Sequence, residues 1–284
     1  MAFALDADAP LPSTLRDTAG AELARAIARL HQPGAKDVHE ARKSLKKLRA
    51  WARLVRPALG DEHYRVINAL LRDAARELSQ TRDAAVAAQT LLRLRRGRHL
   101  SADHYARLKP LLAPPLKTTP SPTAARHARR LLKAATLYVD DATLPPDDGA
   151  LRAAHRRARQ RCARLYRQCL ADPDAEHLHR WRKHIKYLGY QCALLAPRDP
   201  AVGQEIPALK ALGELLGLHH DIHTLSLRLD QLAPADVDEL LRLHARQLFA
   251  QQCVALGERA LAQAAPLFER PRRTARADKP RRRR

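Results

Sequence analysis

Residues 38–48 read VHEARKSLKKL, and residues 178–188 read LHRWRKHIKYL. We call these segments the first and second basic motifs, because His, Arg, Lys and Lys recur in them at the same offsets. Apolar residues recur between the basic ones. A pattern that returns in the same frame about half a chain later indicates an internal duplication, in which each half presents one cationic helix.

The apolar residues of each motif recur at steps of three and four, which is typical of the buried face of a bundle helix. This face begins with Val38 and Ala41 in the first motif and with Leu178 and Trp181 in the second. The next residue along a helix lies about 100° around its axis, so the basic residues flank the buried face. Trp181 is therefore predicted to belong to the core.

The basic residues form one stripe on each motif helix. No acid lies between Ala41 and Gly60, or between His177 and Arg198, that could neutralise either stripe. Like charges one helical turn apart destabilise an isolated helix, so these rows indicate an anionic partner. The first stripe consists of His39, Arg42, Lys43, Lys46, Arg49 and Arg53, and the second of His179, Arg182, Lys183 and Lys186.

The overall charge supports the same interpretation. The chain of 284 residues has a formal net charge of +22 and a pI of about 10.8. Residues 270–284 contain nine Lys or Arg and one Asp, so this tail carries +8 and the rest of the chain carries +14. A basic body of this kind predicts nucleic acid, an anionic membrane or another polyanion as the partner.

The composition predicts an all-α protein, since Ala, Leu and Arg dominate, Gly is sparse and aromatics are 4%. The first motif helix is expected to end before Pro57, and separate helices are expected over 201–216 and 220–232. The clearest break is PPDDG at 145–149, and LSQTRD at 78–83 is echoed by LGLHHD at 216–221. We expect a flexible N-terminus (1–11), two helical bundles (12–144 and 145–267) and a disordered basic tail (268–284).

The sequence carries no visible signal peptide and no apolar run near the ~20 residues of a membrane span. A cytoplasmic protein without a membrane partner is therefore expected. The cysteines form no CxxC pair, and four thiols in so long a chain are typical of reduced core residues. These cysteines are Cys162, Cys169, Cys192 and Cys253.

The residue types of the stripes suit phosphate. Arg grips phosphate oxygens through a planar fork, Lys adds a compact charge, and a neutral His donates a hydrogen bond. Aromatic side chains that could stack on bases are scarce in both motifs, which favours phosphate over nucleobases. The alternative is a solvated basic surface, but a His at the same offset in both motifs argues against it.

His219 and His223 are spaced by one helical turn and could hold zinc, but the equivalent stretch of the first half has no His. Polar residues at a helix start are the simpler interpretation, so no metal site is predicted. The chain has no Walker A loop, HExxH or GxSxG, and the basic helices carry almost no acids to hold Mg²⁺. A non-catalytic protein without a cofactor is expected.

The chain resembles the CHAD (conserved histidine α-helical domain) family. The resemblance rests on the two basic motifs and on the paired segments ending in Arg82-Asp83 and His220-Asp221. It implies two four-helix bundles with pseudo-twofold symmetry, a basic central groove or channel, and binding of long-chain inorganic polyphosphate. Members of the family are often fused to a triphosphate-processing domain, but this chain has no ExExK motif.

The resemblance also implies which residues contact the ligand. Gly189 stands where the first motif helix has Arg49, so the second stripe is one cation shorter. The implied contacts are His39, Arg42, Lys43, Lys46 and Arg49 with His179, Arg182, Lys183 and Lys186, and the secondary candidates are Arg72, Arg82, Lys210 and His220.

These observations predict a cytosolic binder of long-chain polyphosphate, in which the stripes of the two halves converge on one linear polyanion. Association with polyphosphate granules is a further expectation. If His39 and His179 act as cations, binding should weaken between about pH 6 and about pH 8. The alternative is a nucleic-acid-binding protein without sequence preference, which would use the basic face and the arginine-rich tail. For a polyphosphate binder, nucleic acid is expected at most as a weaker polyanion ligand.

Overall fold

The computed structural model describes residues 3–78, 83–114 and 119–269. All regular secondary structure in these ranges is helical, as the sequence predicts, and none of these helices has the length and apolar composition that crossing a bilayer requires. The helices are α1 (Leu11–Arg29), α2 (Ala35–Glu77), α3 (Asp83–Arg96), α4 (Ala102–Leu112), α5 (Pro122–Asp140), α6 (Asp148–Ala171), α7 (Ala175–Leu195), α8 (Pro200–Gly203), α9 (Ile206–Gln231) and α10 (Glu239–Phe268), with a 3₁₀ turn at Pro234–Asp236.

Helix α2 doubles back on itself at Gly60, where φ is 76°. Nη1 of Arg42 donates a hydrogen bond to the carbonyl oxygen of Ala75 at 3.0 Å, although the two residues are 33 positions apart. In a straight helix that separation would span about 50 Å. Residues 35–59 and 61–77 are therefore two antiparallel arms. The expected end before Pro57 was wrong by about one turn, because the reversal needs the positive φ that glycine adopts readily.

Helix α9 is continuous from Ile206 to Gln231. The prediction of two separate helices over 201–216 and 220–232 was therefore wrong. Gly217 lies inside the helix, and a Cβ added there would be 3.9 Å from Nε of Arg182, which is ordinary van der Waals contact. The glycine is accommodated within the helix and does not end it.

The apolar faces of both motif helices are buried, as predicted. Val38 and Ala41 in α2 and Leu178 in α7 are 3%, 0% and 2% exposed. Trp181 is fully buried, which confirms its place in the core. The basic stripes therefore border the core on two helices whose orientation is determined by packing.

The hydrophobic clusters cross the boundary expected between residues 144 and 145. One cluster combines α1, α2 and α5 with residues near the start of α6 and the end of α7. A second joins α3 and α4 to α9 and α10, and a third lies among α6, α7, α9 and α10. The two halves of the chain thus share apolar contacts, while the pseudo-twofold relation between them stays a prediction.

The segment over 1–11, which was predicted to be flexible, is anchored to the core by two of its residues. Phe3 and Leu5 are buried, and the backbone N–H of Leu5 donates to the carbonyl oxygen of Leu194 at 2.9 Å. Apolar side chains and a backbone hydrogen bond hold this segment, although nothing in its short sequence has a helical period. Residues 270–284 of the basic tail lie outside the described residues.

Candidate anion-binding site

The two basic stripes meet at one cavity. The motif helices are in direct contact, because Nε2 of Gln191 in α7 donates to the carbonyl oxygen of Ala50 in α2 at 3.0 Å. A cavity of about 320 Å³ is lined by Arg42 and Lys46 from the first arm of α2 and by Arg182 from α7. We call it the stripe cavity. Cations from both basic motifs therefore face a single space.

Helix α9 completes the stripe cavity. His220, Thr224 and Arg228 lie one turn apart along α9 and all line the cavity. Asp221 is the one acidic residue in this lining, against two cations from α2, one from α7 and one from α9. The lining is thus strongly positive, and it is suited to an anion that carries several charges.

Backbone carbonyl groups orient two arginines of the stripe cavity. Arg42 donates from Nη1 to Ala75 in the second arm of α2, and Arg228 donates from Nη1 to Leu112 at the end of α4, at 3.1 Å. A neutral carbonyl orients a guanidinium group without cancelling its charge. These arginines are therefore held in place before any ligand binds, which lowers the entropy that binding must overcome.

Two glycines of α9 lie next to basic side chains of the second stripe. A Cβ added at Gly213 would lie 3.4 Å from Cε and 3.5 Å from Nζ of Lys186. A Cβ added at Gly217, one turn later, would lie 3.9 Å from Nε of Arg182. Lys186 and Arg182 of α7 thus lie against α9 at these two glycines, and Arg182 also lines the cavity.

The rings of His179 and His220 pack against each other beside the cavity cations, with centroids 4.2 Å apart and a tilt of 34° between their planes. Burial, followed by the charges of Lys183 and Arg182, lowers the pKa of His179 to about 4. Burial, followed by the charge of Arg182, lowers the pKa of His220 to about 3. Both rings are therefore neutral at neutral pH, and each can donate one N–H to an anionic oxygen.

The Nδ1 atom of His179 is buried and has no hydrogen-bond partner among the described residues. Buried polar atoms of side chains are normally paired, so this unpaired nitrogen beside a cationic cavity makes His179 a candidate ligand contact. His179 is the histidine of the second basic motif, and its counterpart in the first basic motif is His39.

Arg49 of the first stripe lies next to α7. Its Nε donates to Oδ1 of Asn68 in the second arm of α2 at 3.1 Å, and its guanidinium group lies 5.9 Å from the ring centroid of Tyr187 in α7. Lys183 is largely exposed, yet desolvation and the charges of Arg49 and Arg182 lower its pKa. These cations of the two stripes thus repel one another, and a bound anion would relieve that repulsion.

Several predicted residues lie at the margin of this site and do not line the stripe cavity. His39 is exposed, one turn before Arg42. Lys43 is exposed, with Nζ 3.7 Å from Oε2 of Glu40. Arg72 is exposed and paired with Asp73 at 3.0 Å, and Lys210 is exposed one turn before Gly213. Arg82 lies outside the described residues.

The sequence interpretation missed Arg228, Gly213 and Gly217. None of the three was assigned a function. His220 and Arg228 fall in the same expected helix, 220–232, two turns apart on one face, so their spacing was a signal that could have been used. The spacing of the two glycines at i and i+4, inside a long apolar pattern, was a second available signal.

The described residues contain one group of three side chains that could hold a metal ion, and it is exposed at the start of α7. It consists of Asp172, Asp174 and His177. Asp174 caps α7 by accepting a hydrogen bond from the backbone N–H of His177 at 2.6 Å. His219 and His223 do not belong to such a group, so the geometry gives no support to a zinc enzyme built on them.

Comparison with known proteins identifies the class. The family model described as "CHAD domain" matches residues 10–230. This chain therefore belongs to the CHAD family, whose roles are related to polyphosphate.

Two solved structures show the same fold. The structure of the CHAD domain from the plant Ricinus communis has a TM-score of 0.67 with 21% identity, covering 95% of this chain and 96% of that chain. PptA from Streptomyces chartreusis has a TM-score of 0.65 with 16% identity, covering 92% and 100%. A comparison with curated proteins found no match.

Proposed function

We propose that this protein is a non-catalytic binder of long-chain inorganic polyphosphate. The observation that carries the proposal is the stripe cavity, which is lined by Arg42 and Lys46 from the first basic motif and by Arg182 from the second. One small anion would contact few of the basic side chains of the two motifs. A linear chain of repeated charges would contact the basic side chains of both. The family to which the chain belongs supports the same ligand.

The binding mechanism follows from the residue types. Arg42, Arg182 and Arg228 provide planar donors for phosphate oxygens, and Lys46 adds a compact charge. The neutral rings of His179 and His220 donate N–H groups and bring no further charge repulsion to the free protein. Several contacts act along one chain, so each added phosphate gains a contact without a new loss of rigid-body freedom.

Nucleic acid is the alternative ligand, and the lining of the site argues against it. Base recognition on single strands uses exposed aromatic platforms, yet Trp181 is buried in the core and Tyr187 lies beneath the guanidinium group of Arg53 at 4.5 Å. The phosphate backbone of nucleic acid remains a weaker ligand. A cytoplasmic location and residence on polyphosphate granules belong to the proposal as well.

The decisive experiment is competition binding of long-chain polyphosphate against duplex DNA and RNA at ~150 mM salt. We expect polyphosphate to displace both nucleic acids at equal phosphate concentration. Equal competition by all the polyanions would overturn the proposal. A variant that lacks residues 270–284 is the control, because a tail-driven nucleic-acid binder would lose its affinity and a binder that uses the helical body would retain it.

Replacement of Gly213 tests whether the position of Lys186 matters. Gly213→Ala should be tolerated and should stabilise the fold by roughly 0.5–1 kcal/mol, because alanine is the better helix former and its Cβ makes only ordinary contact with Lys186. Gly213→Leu should displace Lys186 and weaken polyphosphate binding about 10-fold, as expected for one lost charge-assisted contact. Thermal unfolding and titration calorimetry measure the two effects.

Gly20 in α1 is the matched control for this pair, since a Cβ added there meets nothing within 4 Å. Gly20→Ala should stabilise the protein in the same way, and neither Gly20→Ala nor Gly20→Leu should change the affinity. If Gly213→Leu binds polyphosphate as tightly as the intact protein does, Lys186 makes no essential contact.

The lowered pKa values of His179 and His220 predict how pH changes the stability of the folded state and the affinity for polyphosphate. Because the folded state resists protonation, the unfolded chain binds protons first below about pH 6.5, and the folded state loses stability as the pH falls toward about 4. Bound phosphates favour protonated rings, so polyphosphate affinity should rise over the same window. From sequence, binding was expected to weaken between about pH 6 and about pH 8 if His179 acts as a cation. The lowered pKa of His179 moves that change in affinity to a lower pH.

Thermal unfolding with and without polyphosphate, at about pH 5 and about pH 8, measures this effect. The increase in unfolding temperature on binding should be larger at the lower pH. His179→Gln with His220→Gln should remove most of that difference, since glutamine keeps a donor without titrating. An equal ligand effect at both pH values would show that the two rings do not take up protons on binding.

A further inference from the structure

A second cationic cavity lies among α2, α6 and α7, outside the stripe cavity. Its volume is about 530 Å³, and its lining includes Arg53 and Arg56 from the first arm of α2 and Arg157 and Arg161 from α6. We call it the arginine cavity. The basic motifs contribute only His184, Tyr187 and Leu188 to this lining, so their pattern did not predict it.

The charges of this cavity are poorly compensated. Asp61 is the one acid in the lining, and its Oδ1 already lies 2.8 Å from Nη2 of Arg56. Arg157 and Arg161 form no ion pair with any described residue. Four arginines around a space with one committed carboxylate leave a surplus of positive charge, which is suited to a polyanion and not to a small neutral ligand.

The arginine cavity is continuous with the first stripe. Arg49 and Arg53 both belong to that stripe and both lie over the ring of Tyr187, at 5.9 and 4.5 Å from its centroid, and Arg53 also lines the arginine cavity. Arg49, Arg53 and Arg56 follow one another along the same arm of α2. An anion that leaves the stripes past Arg49 therefore meets the arginine cavity next.

His184 adds a neutral donor to the same space. Burial, followed by the charges of Arg53, Arg161 and Lys183, lowers the pKa of His184 to about 4. The ring of Tyr187 stands perpendicular to it, with centroids 6.2 Å apart. The combination of arginines with one neutral imidazole resembles the lining of the stripe cavity, where His220 has the corresponding place.

We propose that the arginine cavity is a second subsite for polyphosphate, which takes the segment of a long chain that extends beyond the two stripes. This inference rests on the proposed function, since it assigns another part of the same ligand. Arg157 and Arg161 would bind phosphate oxygens directly. A chain too short to reach from the stripe cavity would not use them.

The test is the double variant Arg157→Ala/Arg161→Ala, assayed with polyphosphates of graded length beginning at tripolyphosphate. We expect its affinity for long chains to fall about 10- to 100-fold, while its affinity for tripolyphosphate stays unchanged. The affinity of the variant should also stop rising at a shorter chain length than that of the intact protein. Arg152→Ala/Arg156→Ala is the matched control, because these arginines are exposed on the same helix and do not line the cavity.

The outcomes separate this inference from the proposed function. If Arg157→Ala/Arg161→Ala binds every chain length as the intact protein does, while substitutions in the stripes abolish binding, the second subsite does not exist and the proposed function stands. If substitutions in the stripes also leave binding intact, the proposed function itself has failed. An equal loss in the variant and its matched control would assign the effect to general charge, which also overturns the subsite.

Discussion

Replacing Arg42, Lys46, Arg182 and Lys186 together with alanine should weaken binding of long-chain polyphosphate about 10³- to 10⁴-fold at ~150 mM salt, since each lost charge-assisted contact is worth roughly 1–1.5 kcal/mol. The first three side chains line the stripe cavity, and Lys186 lies against Gly213 beside them. The loss should appear mainly as faster dissociation, because the rest of the basic surface still attracts the ligand.

The control for this variant removes the same charge elsewhere. Lys109 in α4 and Arg126, Arg130 and Lys133 in α5 are exposed and line neither cavity. Their joint replacement with alanine should lower the affinity by less than about 10-fold, through weaker long-range attraction alone. Similar losses in the two variants would mean that net charge, and not the convergence of the stripes, determines binding.

A double-mutant cycle sharpens the same prediction. Lys46→Ala and Arg182→Ala remove one cation from each motif, at positions that face one cavity. If both contact the same segment of ligand, the free-energy losses of the single variants should not add, with a coupling of about 0.5–3 kcal/mol. Strict additivity would place the two side chains on separate parts of the ligand.

The local features of this fold could be predicted from sequence because they depend on helical period. Val38 and Trp181 are buried since they recur at steps of three and four, and the basic residues beside them follow from the geometry of one helix. The end of the first arm of α2 was predicted about one turn too early, because it was assigned to Pro57 and not to Gly60. A proline removes one N–H, whereas only the glycine that follows supplies the positive φ of the turn.

Convergence of the two stripes was expected from the duplicated motifs, but the packing that brings particular residues to one cavity could not be predicted from them. Arg42 and Arg182 face one cavity because α2 and α7 pack together, and that packing is determined by residues throughout the core. The continuity of α9 was missed for a related reason. Gly217 weakens a helix by about 1 kcal/mol relative to alanine, but α9 remains continuous because it packs along its length against α7 and α10.

Arg157 and Arg161 were equally invisible to a search for motifs. They lie on α6, outside both repeated segments, in a stretch that reads as an ordinary solvated basic face. Their meaning depends on the opposite wall of the cavity, which α2 supplies through Arg53 and Arg56. The pattern of residues in one helix does not show which residues of another helix will face it in the folded chain.

Tripolyphosphate should bind at least about 100-fold more weakly than long-chain polyphosphate, because a short anion satisfies only part of the stripe cavity and loses the added contacts of a tethered chain. Affinity should rise with chain length until the ligand reaches every cation in its path and should then level off. Titration calorimetry with fractions of defined length, compared per chain and not per phosphate, measures this curve.

The salt dependence of the same titrations identifies the cause of the rise. Each phosphate that a Lys or Arg neutralises releases counterions, so the slope of log K against log salt should become steeper with chain length and level off at the same length as the affinity. Statistical rebinding of one small site along a long ligand would raise the affinity without changing that slope. In that case Arg42 and Arg182 would serve one short anion, and the convergence of the two stripes would need another explanation.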